Sequence, residues 1–310
     1  MNFPTLSIIV PTYNRSDYLQ ECLESIIAQN YPFLEIVITD DNSTDDTETV
    51  CKSYVQKYPY VVYTKNQNYP QGPNGNKNNG LDCATGELIT IFDDDDTMVQ
   101  NALSSMVKKI NDGYDIVMGN CSILSTQKDN GCFSGFGVTR SEEIDSQRYL
   151  CGEIYGEFQL LFKKKLLRNR RFDIDLYGGE SILWIKLFEY AKVFYLHEAV
   201  RNYRINENSV THNTFSKASR VIKNYERAIE CFGEQMKIKC PCHLSSIYTW
   251  AAFFGKLSSQ NLKAIKYIFQ SLQLCPQKNT LMMLILLVLP TKFVVLLSKI
   301  RMQIKRNWFK

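Results

Sequence analysis

Short apolar runs alternate with amphipathic stretches along the first third of the chain. The runs cover 6–10, 35–39, 60–64 and 87–92, and each has the length of a strand. Continuous apolar runs are typical of parallel strands buried on both faces, whereas half-exposed strands alternate apolar and polar positions. Strands that alternate with helices form open sheets with right-handed crossovers. The pattern therefore predicts an α/β fold with a mostly parallel sheet and flanking helices.

Apolar residues between these runs recur at the spacing of amphipathic helices. Ser16 is a candidate N-cap of the first helix. The stretch 66–80, "NQNYPQGPNGNKNNG", is rich in Gly, Asn and Pro and is predicted to be a loop. The helical positions are Leu19, Cys22, Leu23, Ile26 and Ile27, then Val50, Cys51, Tyr54 and Val55, and finally Ala102, Leu103, Met106, Val107 and Ile110.

Polar clusters follow three of the predicted strands. "PTYNR" (11–15) follows the first, "DDNS" (40–43) the second and "DDDD" (93–96) the fourth. In open α/β sheets, ligands bind in the crevice beyond the carboxyl ends of the strands. The three clusters are therefore expected to converge on one binding crevice.

Four consecutive aspartates at the end of a buried strand repel one another unless a cation compensates them. In an extended segment Asp93 and Asp95 point to the same side. Two such carboxylates can share Mg²⁺ or Mn²⁺, which prefer oxygen ligands and also bind substrate phosphates. The alternative is a group of solvated acids at a helix entry, and Asp96 fits that interpretation as well.

Five motifs, in this order and spacing, resemble the family 2 glycosyltransferases, which have the GT-A nucleotide-sugar fold. They are "SIIVPTYNR", "VITDDNSTDDT", "QGPNGNKNNGLDCATGE", "IFDDDDTMV" and "YGGESILWIKL", and the resemblance extends from residue 5 to about 210. It implies transfer of a sugar from a nucleotide-sugar donor with inversion at the anomeric carbon.

The resemblance also implies roles for residues on the nucleotide side. Pro11 and Tyr13 match first-strand contacts to the nucleotide, Tyr13 through its ring. Asp41 matches the aspartate that accepts a hydrogen bond from the uracil N–H. Lys77 lies where the family usually has Arg near the diphosphate, and Lys supplies a point charge rather than a bidentate fork.

In the acidic motif, the resemblance matches Asp94 and Asp95 to the acids that contact the donor sugar and the metal. Asp93 opens the D-x-D pattern and is expected to share both tasks. The expected cofactor is Mn²⁺ or Mg²⁺.

Glu180 matches the catalytic base of the family, with Gly179 in place of a preceding acid. The family usually has Asp, so the carboxylate of Glu180 lies one C–C bond further out. A helix N-terminal glutamate stabilised by the helix dipole is the alternative, and Glu157 is a weaker candidate base. Many members have His at Asn206, and Arg204 or Lys77 would then carry more of the leaving-group charge.

The final quarter of the chain is cationic. Glu234 is the last acidic residue, and twelve Lys or Arg residues follow it. Residues 1–234 contain 24 basic and 32 acidic residues, a net charge of −8, although the whole chain carries +4. The split indicates a polyanionic partner for the tail alone. Nucleic acid is not expected, because the body lacks basic patches with interleaved aromatic residues.

The apolar run 281–300 has the length of a membrane span but contains Pro290 and Lys292. Trp308 and Phe309 follow as interfacial anchors. A kinked amphipathic segment on the cytoplasmic leaflet is favoured over a spanning helix with its basic end inside. A buried core helix is the third possibility.

Length and composition suggest two domains. With 310 residues and 45% apolar residues, we expect a catalytic domain at 1–215 and a helical region at 216–310, with the membrane-associating segment at about 280–310. No signal-peptide pattern opens the chain, so the ten cysteines are expected to be reduced thiols. Cys240, Cys242 and His243 match no standard zinc spacing.

The sequence thus predicts a metal-dependent, inverting glycosyltransferase, peripheral on the cytoplasmic face of the cell membrane. Its donor is expected to be a UDP-sugar and its acceptor a lipid-linked saccharide used for surface polysaccharide, and a homodimer is compatible with the sequence. A nucleotidyltransferase is an alternative, but "PTYNR" is not the Gly-rich basic loop that it requires. A non-catalytic, membrane-attached nucleotide-sugar binder is the other alternative, and Glu180 distinguishes it from the enzyme.

Overall fold

The computed structural model describes residues 3–125, 128–205 and 217–296. The chain divides into two compact units, Met1–Asn206 and Glu207–Lys310. The predicted domain boundary after residue 215 lies outside the described residues, between 205 and 217.

The first unit contains one large mixed sheet with helices on both faces. Its helices are α1 (Ser16–Ile27), α2 (Thr47–Lys57), α3 (Pro73–Cys83), α4 (Ala102–Asn111), α5 (Ser146–Leu150) and α6 (Ser181–Phe188), with a 3₁₀ turn at Lys164–Leu166. Its strands are β1 (Leu6–Thr12), β2 (Leu34–Asp40), β3 (Val61–Lys65), β4 (Leu88–Ile91), β5 (Thr97–Met98), β6 (Ile116–Ser125), β7 (Lys128–Phe133), β8 (Gly135–Phe136), β9 (Glu142–Ile144), β10 (Tyr155–Gly156), β11 (Phe158–Lys163) and β12 (Val193–Arg204).

The main path of the sheet has the strand order β3-β2-β1-β4-β11-β6-β12-β5. The first four strands are mutually parallel, and β12 is parallel to β6, while β11 runs antiparallel between β4 and β6. The predicted α/β fold is confirmed, and each of the four predicted strands begins within one residue of its expected start.

Burial on both faces explains the continuous apolar runs. In β1, Ile8 and Val10 pack with α1 in one core cluster, whereas Ile9 packs with Val37 and Leu81 in another. All three β1 side chains are fully buried. Neighbouring strand residues point to opposite faces, so a strand covered on both sides must be apolar at every position.

The prediction of a loop at 66–80 was wrong for its second half, because residues 73–83 form α3. Pro73 begins the helix, where its fixed φ is favourable. Asn and Gly are poor helix formers, but the buried asparagines bond to the sheet and neighbouring loops. Gly80 is required because a Cβ there would overlap Ile9. Ser16 is also not an N-cap: it is the first residue of α1, and Arg15 precedes it without a capping bond.

The second unit is helical: α7 (Ala218–Lys239), α8 (Pro241–Leu257), α9 (Asn261–Leu274) and α10 (Lys278–Val288). Four buried hydroxyl groups on α8, α9 and α10 bond to one another in its interior. They belong to Ser245, Thr249, Ser271 and Thr280.

The apolar run in the tail is interrupted as its proline predicts. α10 ends at Val288, and helical backbone resumes at 291–296 after Pro290; residues 297–310 lie outside the described part. Among the described residues, no helix is both long enough and apolar enough to cross a membrane.

The expectation of reduced cysteines was wrong for Cys242 and Cys275, which form a disulfide between α8 and the end of α9. Cys151 and Cys240 are disulfide-bonded as well. In the described ranges, no group of three or more His, Cys, Asp or Glu side chains is arranged to hold a metal.

Candidate active site

The polar segments after β1 and β2 meet, as their position in the sheet predicts. Thr12 at the end of β1 pairs with Asp40 at the end of β2. Beyond them, the amide of Asn14 donates to Ser43 Oγ at 2.9 Å, and the amide of Thr44 donates to Asn14 Oδ1 at 2.7 Å. These bonds fix the two loops as one wall of the crevice.

The acidic segment 93–96 forms the adjacent wall, and Arg201 compensates two of its charges. This β12 guanidinium donates from Nε to Asp96 at 2.5 Å and from Nη2 to Asp93 at 2.7 Å. Its Nη1 donates to Gln159 at 3.2 Å. The side chains of Arg201 and Asp96 are 5% and 0% exposed, so the pair belongs to the interior and is not a solvated surface cluster.

A second guanidinium compensates the other two aspartates. Arg15 Nη1, from the loop after β1, lies 2.9 Å from Asp94 Oδ1 and 2.7 Å from Asp95 Oδ2. Its side chain is 30% exposed. The four aspartates of the motif are thus held by two arginines that the sequence analysis did not assign to them.

Burial shifts the pKa values of these acids in different directions. Burial raises the pKa of Asp94 to about 7, and Arg15 only partly offsets it. Burial also raises the pKa of Asp96 to about 7, against the attraction of Arg201. For Asp93, Arg201 and Lys77 outweigh burial and keep its pKa below the ordinary value. Asp93 is therefore an anion at neutral pH, while Asp94 is poised between its two forms.

The carboxylate oxygens of the acidic segment fit a divalent cation that takes its remaining ligands from the substrate. Asp94 Oδ2 and Thr12 Oγ1 are buried, and neither makes a hydrogen bond of ordinary geometry with the described residues, although Thr12 lies close enough to Asp94 to lower its pKa. An unpaired buried carboxylate oxygen is costly and indicates a ligand. Mg²⁺ and Mn²⁺ sites commonly use one or two carboxylates and take the remaining ligands from phosphates and water.

The predicted nucleotide-contacting residues lie at the ends of β1 and β2. Tyr13 is an exposed aromatic residue directly after β1 and offers its ring to a planar ligand, and Pro11 is half-buried within the strand. Asp41 is buried and accepts hydrogen bonds from Asn66 Nδ2 and the Gly72 amide, both at 2.8 Å. Burial raises the pKa of Asp41, and these bonds only partly offset it.

Lys77 and Glu180 form an ion pair. Lys77 Nζ on α3 lies 2.7 Å from Glu180 Oε1, with side-chain exposures of 13% and 32%. Burial would raise the pKa of Glu180, but Lys77 outweighs it and keeps the pKa below the ordinary value. Glu180 is therefore ionised at neutral pH, as a general base must be.

Two glycines place Glu180 at the entrance of α6. Gly178 and Gly179 have φ angles of 73° and 77°, a left-handed conformation that is unfavourable for residues with a Cβ. The family motif has an acid at the second of these positions. The left-handed backbone at position 179 explains why this chain has glycine there, because an acidic residue in that conformation would be strained.

The asparagines of α3 hold the loop that leads to Glu180. Asn74 Nδ2 donates to the carbonyls of Asp173 and Gly178 at 2.8 and 2.9 Å. Asn78 accepts from the Phe172 amide and donates to the Phe172 carbonyl, both at 2.9 Å. The helix that carries Lys77 therefore also positions the segment 172–178 immediately before Glu180.

The remaining candidates have different outcomes. Glu157 precedes β11 at an exposed position, and partial desolvation together with the nearby Asp93 and Glu180 raises its pKa. Arg204 pairs with Glu21 at 2.8 Å. Asn206 lies outside the described residues.

Comparisons with known proteins agree with this architecture. Residues 7–167 match the model of "Glycosyl transferase family 2". The chain is 41% identical over 312 residues to GalNAc(5)-diNAcBac-PP-undecaprenol beta-1,3-glucosyltransferase of Campylobacter jejuni, covering 98% of this chain and 100% of that protein.

Solved structures share the fold at low identity. Staphylococcus aureus TarS 1–349 in complex with UDP-GlcNAc aligns with a TM-score of 0.59 and 17% identity, over 87% of this chain and 91% of that chain. Mannosyltransferase PcManGT from Pyrobaculum calidifontis, in complex with GDP-Man and Mn²⁺, aligns with a TM-score of 0.59 and 19% identity, over 91% and 79%. On the family model and the full-length relative, the chain belongs to glycosyl transferase family 2 and is a glycosyltransferase with the GT-A fold.

Proposed function

We propose that the protein transfers a sugar from a UDP-sugar to a hydroxyl group of a saccharide carried on a polyprenyl diphosphate, with inversion and with a divalent cation. The observation that carries this proposal is the ionised Glu180 paired with Lys77 at 2.7 Å beside the acidic segment 93–96. The acceptor class follows the full-length relative, whose name specifies a saccharide on PP-undecaprenol.

The proposed reaction is a single displacement. Glu180 accepts the proton of the acceptor hydroxyl as its oxygen attacks the anomeric carbon, and the nucleoside diphosphate leaves from the opposite side. Lys77 Nζ lies 2.7 Å from Oε1 of Glu180, and the other carboxylate oxygen, Oε2, would take the proton. Lys77 also lies near Asp93, so its charge reaches both the base and the donor side.

The divalent cation would be held by Asp95, with Asp93 or Asp94 as the second protein ligand. When bound, it acts as a Lewis acid that stabilises the negative charge on the leaving diphosphate. Arginines already contact these carboxylates, so fewer of their oxygens are available to the ion. We therefore expect the ion to take additional ligands from the donor phosphates.

Calorimetric titration of the protein with a UDP-sugar tests this function. We expect binding to require Mn²⁺ or Mg²⁺ and to weaken when a chelator is present, because two arginines only partly compensate four carboxylates, and the remaining negative charge repels a diphosphate. The same titration with Asp95→Asn should show weak binding with or without metal. Equal donor affinity of the wild-type protein in metal and in chelator would exclude metal-dependent donor binding.

Asp41→Asn should weaken UDP binding about tenfold or more, because the uracil N–H loses a charged acceptor, and such hydrogen bonds are worth roughly 1.5–3 kcal/mol. CDP is the matched control ligand, since cytosine has no N–H at the corresponding ring position. The measurement is the ratio of the two dissociation constants. An unchanged ratio would remove Asp41 from base recognition, even if the substitution disturbs Asn66 and Gly72.

We further propose that the protein lies peripherally on the cytoplasmic face of the membrane, bound through its second unit. Supporting this, α10 exposes Leu281, Ile285 and Val288, which are 53%, 64% and 82% exposed and recur at helical spacing. Thr280 and Met283, by contrast, are buried. An exposed apolar face on a cationic chain segment suits the surface of an anionic bilayer.

Ile285→Ser with Val288→Ser should therefore reduce sedimentation with anionic vesicles without unfolding the protein, because both side chains point away from the core. Burying such side chains stabilises binding by roughly 1.5–3 kcal/mol each, so the loss should be about tenfold or more. Phe33→Ser, at an exposed apolar position of the first unit, is the control. Unchanged sedimentation of the double variant would contradict a membrane role for α10.

A further inference from the structure

Arg15 contacts the acidic segment in an unusual way. A single nitrogen, Nη1, bridges two side chains, at 2.9 Å from Asp94 Oδ1 and 2.7 Å from Asp95 Oδ2. Arginine commonly meets a carboxylate through two nitrogens, one to each oxygen. Here Nη1 acts as a compact positive charge shared by two carboxylates, which is also how two neighbouring acids share a metal ion.

The second arginine of the cluster behaves differently. Arg201 uses three nitrogens on three partners, and only 5% of its side chain is exposed. Arg15 is 30% exposed and reaches the acids from a loop. The loop backbone is held independently of the side chain, because the Arg15 amide donates to Thr47 Oγ1 and the loop before it is bonded to Ser43 and Thr44. The Arg15 head group can therefore leave the acids while its backbone stays in place.

Charge balance gives a reason for such an exchange. Four carboxylates contact two guanidinium groups, and Lys77 is paired with Glu180. The buried Asp94 Oδ2 accepts no hydrogen bond of ordinary geometry from the described residues, although Thr12 lies close enough to lower the pKa of this carboxyl. A divalent cation would add the missing charge, but with Arg15 in place it would approach carboxylates already bound to a cation. The two cations therefore compete for Asp94 and Asp95.

We propose that Arg15 is the resident counter-ion of Asp94 and Asp95, and that the divalent cation replaces it when the donor binds. This inference rests on the metal-dependent function proposed above. It makes metal and donor binding interdependent: the diphosphate supplies further ligands to the ion and an anionic partner for the released guanidinium. Without nucleotide, Arg15 keeps the acidic segment compensated and lowers its affinity for the free ion.

The test measures Mn²⁺ affinity of the full chain by calorimetry or by the paramagnetic signal of free Mn²⁺, with and without UDP, at mildly alkaline pH. In the wild-type protein, Mn²⁺ should bind weakly alone and much more tightly with UDP. Arg15→Gln should bind Mn²⁺ alone about ten- to a hundredfold more tightly, since it loses a competing charged hydrogen bond. The enhancement by UDP should shrink correspondingly, because the coupling is reciprocal.

Arg15→Lys keeps a positive point charge and should bind Mn²⁺ as weakly as the wild-type protein. Arg148→Gln removes an arginine that pairs with Glu142 and should also behave like the wild-type protein. If Arg15→Gln does not fold, Arg15→Met removes the same charge and is likewise expected to bind Mn²⁺ alone more tightly than the wild-type protein. Equal Mn²⁺ affinity in all variants, with UDP-dependent binding intact, would overturn the role of Arg15 and leave the proposed function standing. No Mn²⁺ binding to any variant, even with UDP, would instead overturn the metal-dependent function and the exchange together.

Discussion

Replacing Glu180 with Gln should lower kcat and kcat/KM together by about 10²–10⁴-fold and leave the dissociation constant of the donor nearly unchanged. A general base acts in the transition state and adds little to ground-state binding, and contributions of this size are usual for such groups. Gln keeps the shape of the side chain and its contact with Lys77 but cannot accept a proton. The measurement is transfer to a saccharide acceptor alongside calorimetric binding of UDP.

The pH profile adds a second readout to the same experiment. Lys77 keeps the pKa of Glu180 below its ordinary value, so the base is ionised across the neutral range. Protonation of Glu180 should therefore not reduce wild-type activity until the pH drops below the ordinary range of a glutamate, and a loss nearer pH 7 would belong to Asp94, whose pKa burial raises to about 7. Glu157→Gln is the matched control, since Glu157 lies near enough to Asp93 and Glu180 for them to raise its pKa. Full activity of Glu180→Gln combined with loss in Glu157→Gln would transfer the catalytic role to Glu157.

Glu180→Asp separates position from basicity. It restores the residue type that is usual in the family but retracts the carboxylate by one C–C bond, away from Lys77. Misplacement on this scale can be costly for catalysis, so we expect partial activity, between that of the wild-type protein and Glu180→Gln. The left-handed glycines before the base fix its backbone, and the loop cannot follow the shorter side chain without losing its bonds to Asn74.

The sheet was predictable because its signal is local. Buried strands such as β1 are apolar at consecutive positions, and chain connectivity brings the carboxyl ends of parallel strands to one edge. The same reasoning correctly brought "PTYNR", "DDNS" and "DDDD" together. A strand that is buried on both faces is apolar at consecutive positions, so it can be recognised without knowledge of distant residues.

Helix α3 was not predictable by the same reasoning, because its stability comes from distant partners. Asn76 donates to the carbonyls of Thr12 and Thr39, and Asn78 brackets Phe172, which is 94 residues further along the chain. Local propensity alone favours a loop for "PNGNKNNG". Seven of its eleven residues are buried, and tertiary hydrogen bonds override the propensity.

The counter-ions of the acidic segment were missed for a related reason. The sequence showed four aspartates and predicted a compensating metal, but Arg201 lies 108 residues after Asp93. The sequence carries little signal for it, because β12 also contains His197, Glu198 and Asn202, and only the structure shows that Arg201 is buried and therefore needs a partner. Arg15 is the last residue of the motif "PTYNR", but nothing in the spacing of this motif indicated a contact with Asp94 and Asp95.

Arg201 is also the residue whose loss should be most damaging to stability. Arg201→Gln should lower the free energy of unfolding by about 3–5 kcal/mol, because it leaves Asp96 buried without its ion-pair partner. Arg148→Gln, which breaks an ion pair at the protein surface, should cost about 1 kcal/mol or less. Both values can be measured by denaturant unfolding of the full chain.

The pH dependence of this loss identifies its cause. Burial already raises the pKa of Asp96 to about 7, and removing Arg201 should raise it further. A carboxyl group whose pKa is raised by folding favours the folded state at low pH, and this advantage is lost as the pH rises through the folded-state pKa. The loss of stability in Arg201→Gln should therefore be largest above pH 7 and shrink as the pH falls toward 5.

The double variant Arg201→Met with Asp96→Asn removes both buried charges and should be more stable than Arg201→Gln at neutral pH. If Arg201→Gln were as stable as Arg148→Gln at every pH, the buried pair would not be what holds the acidic segment in place, and the carboxylates would owe their arrangement to the strand and loop backbone alone.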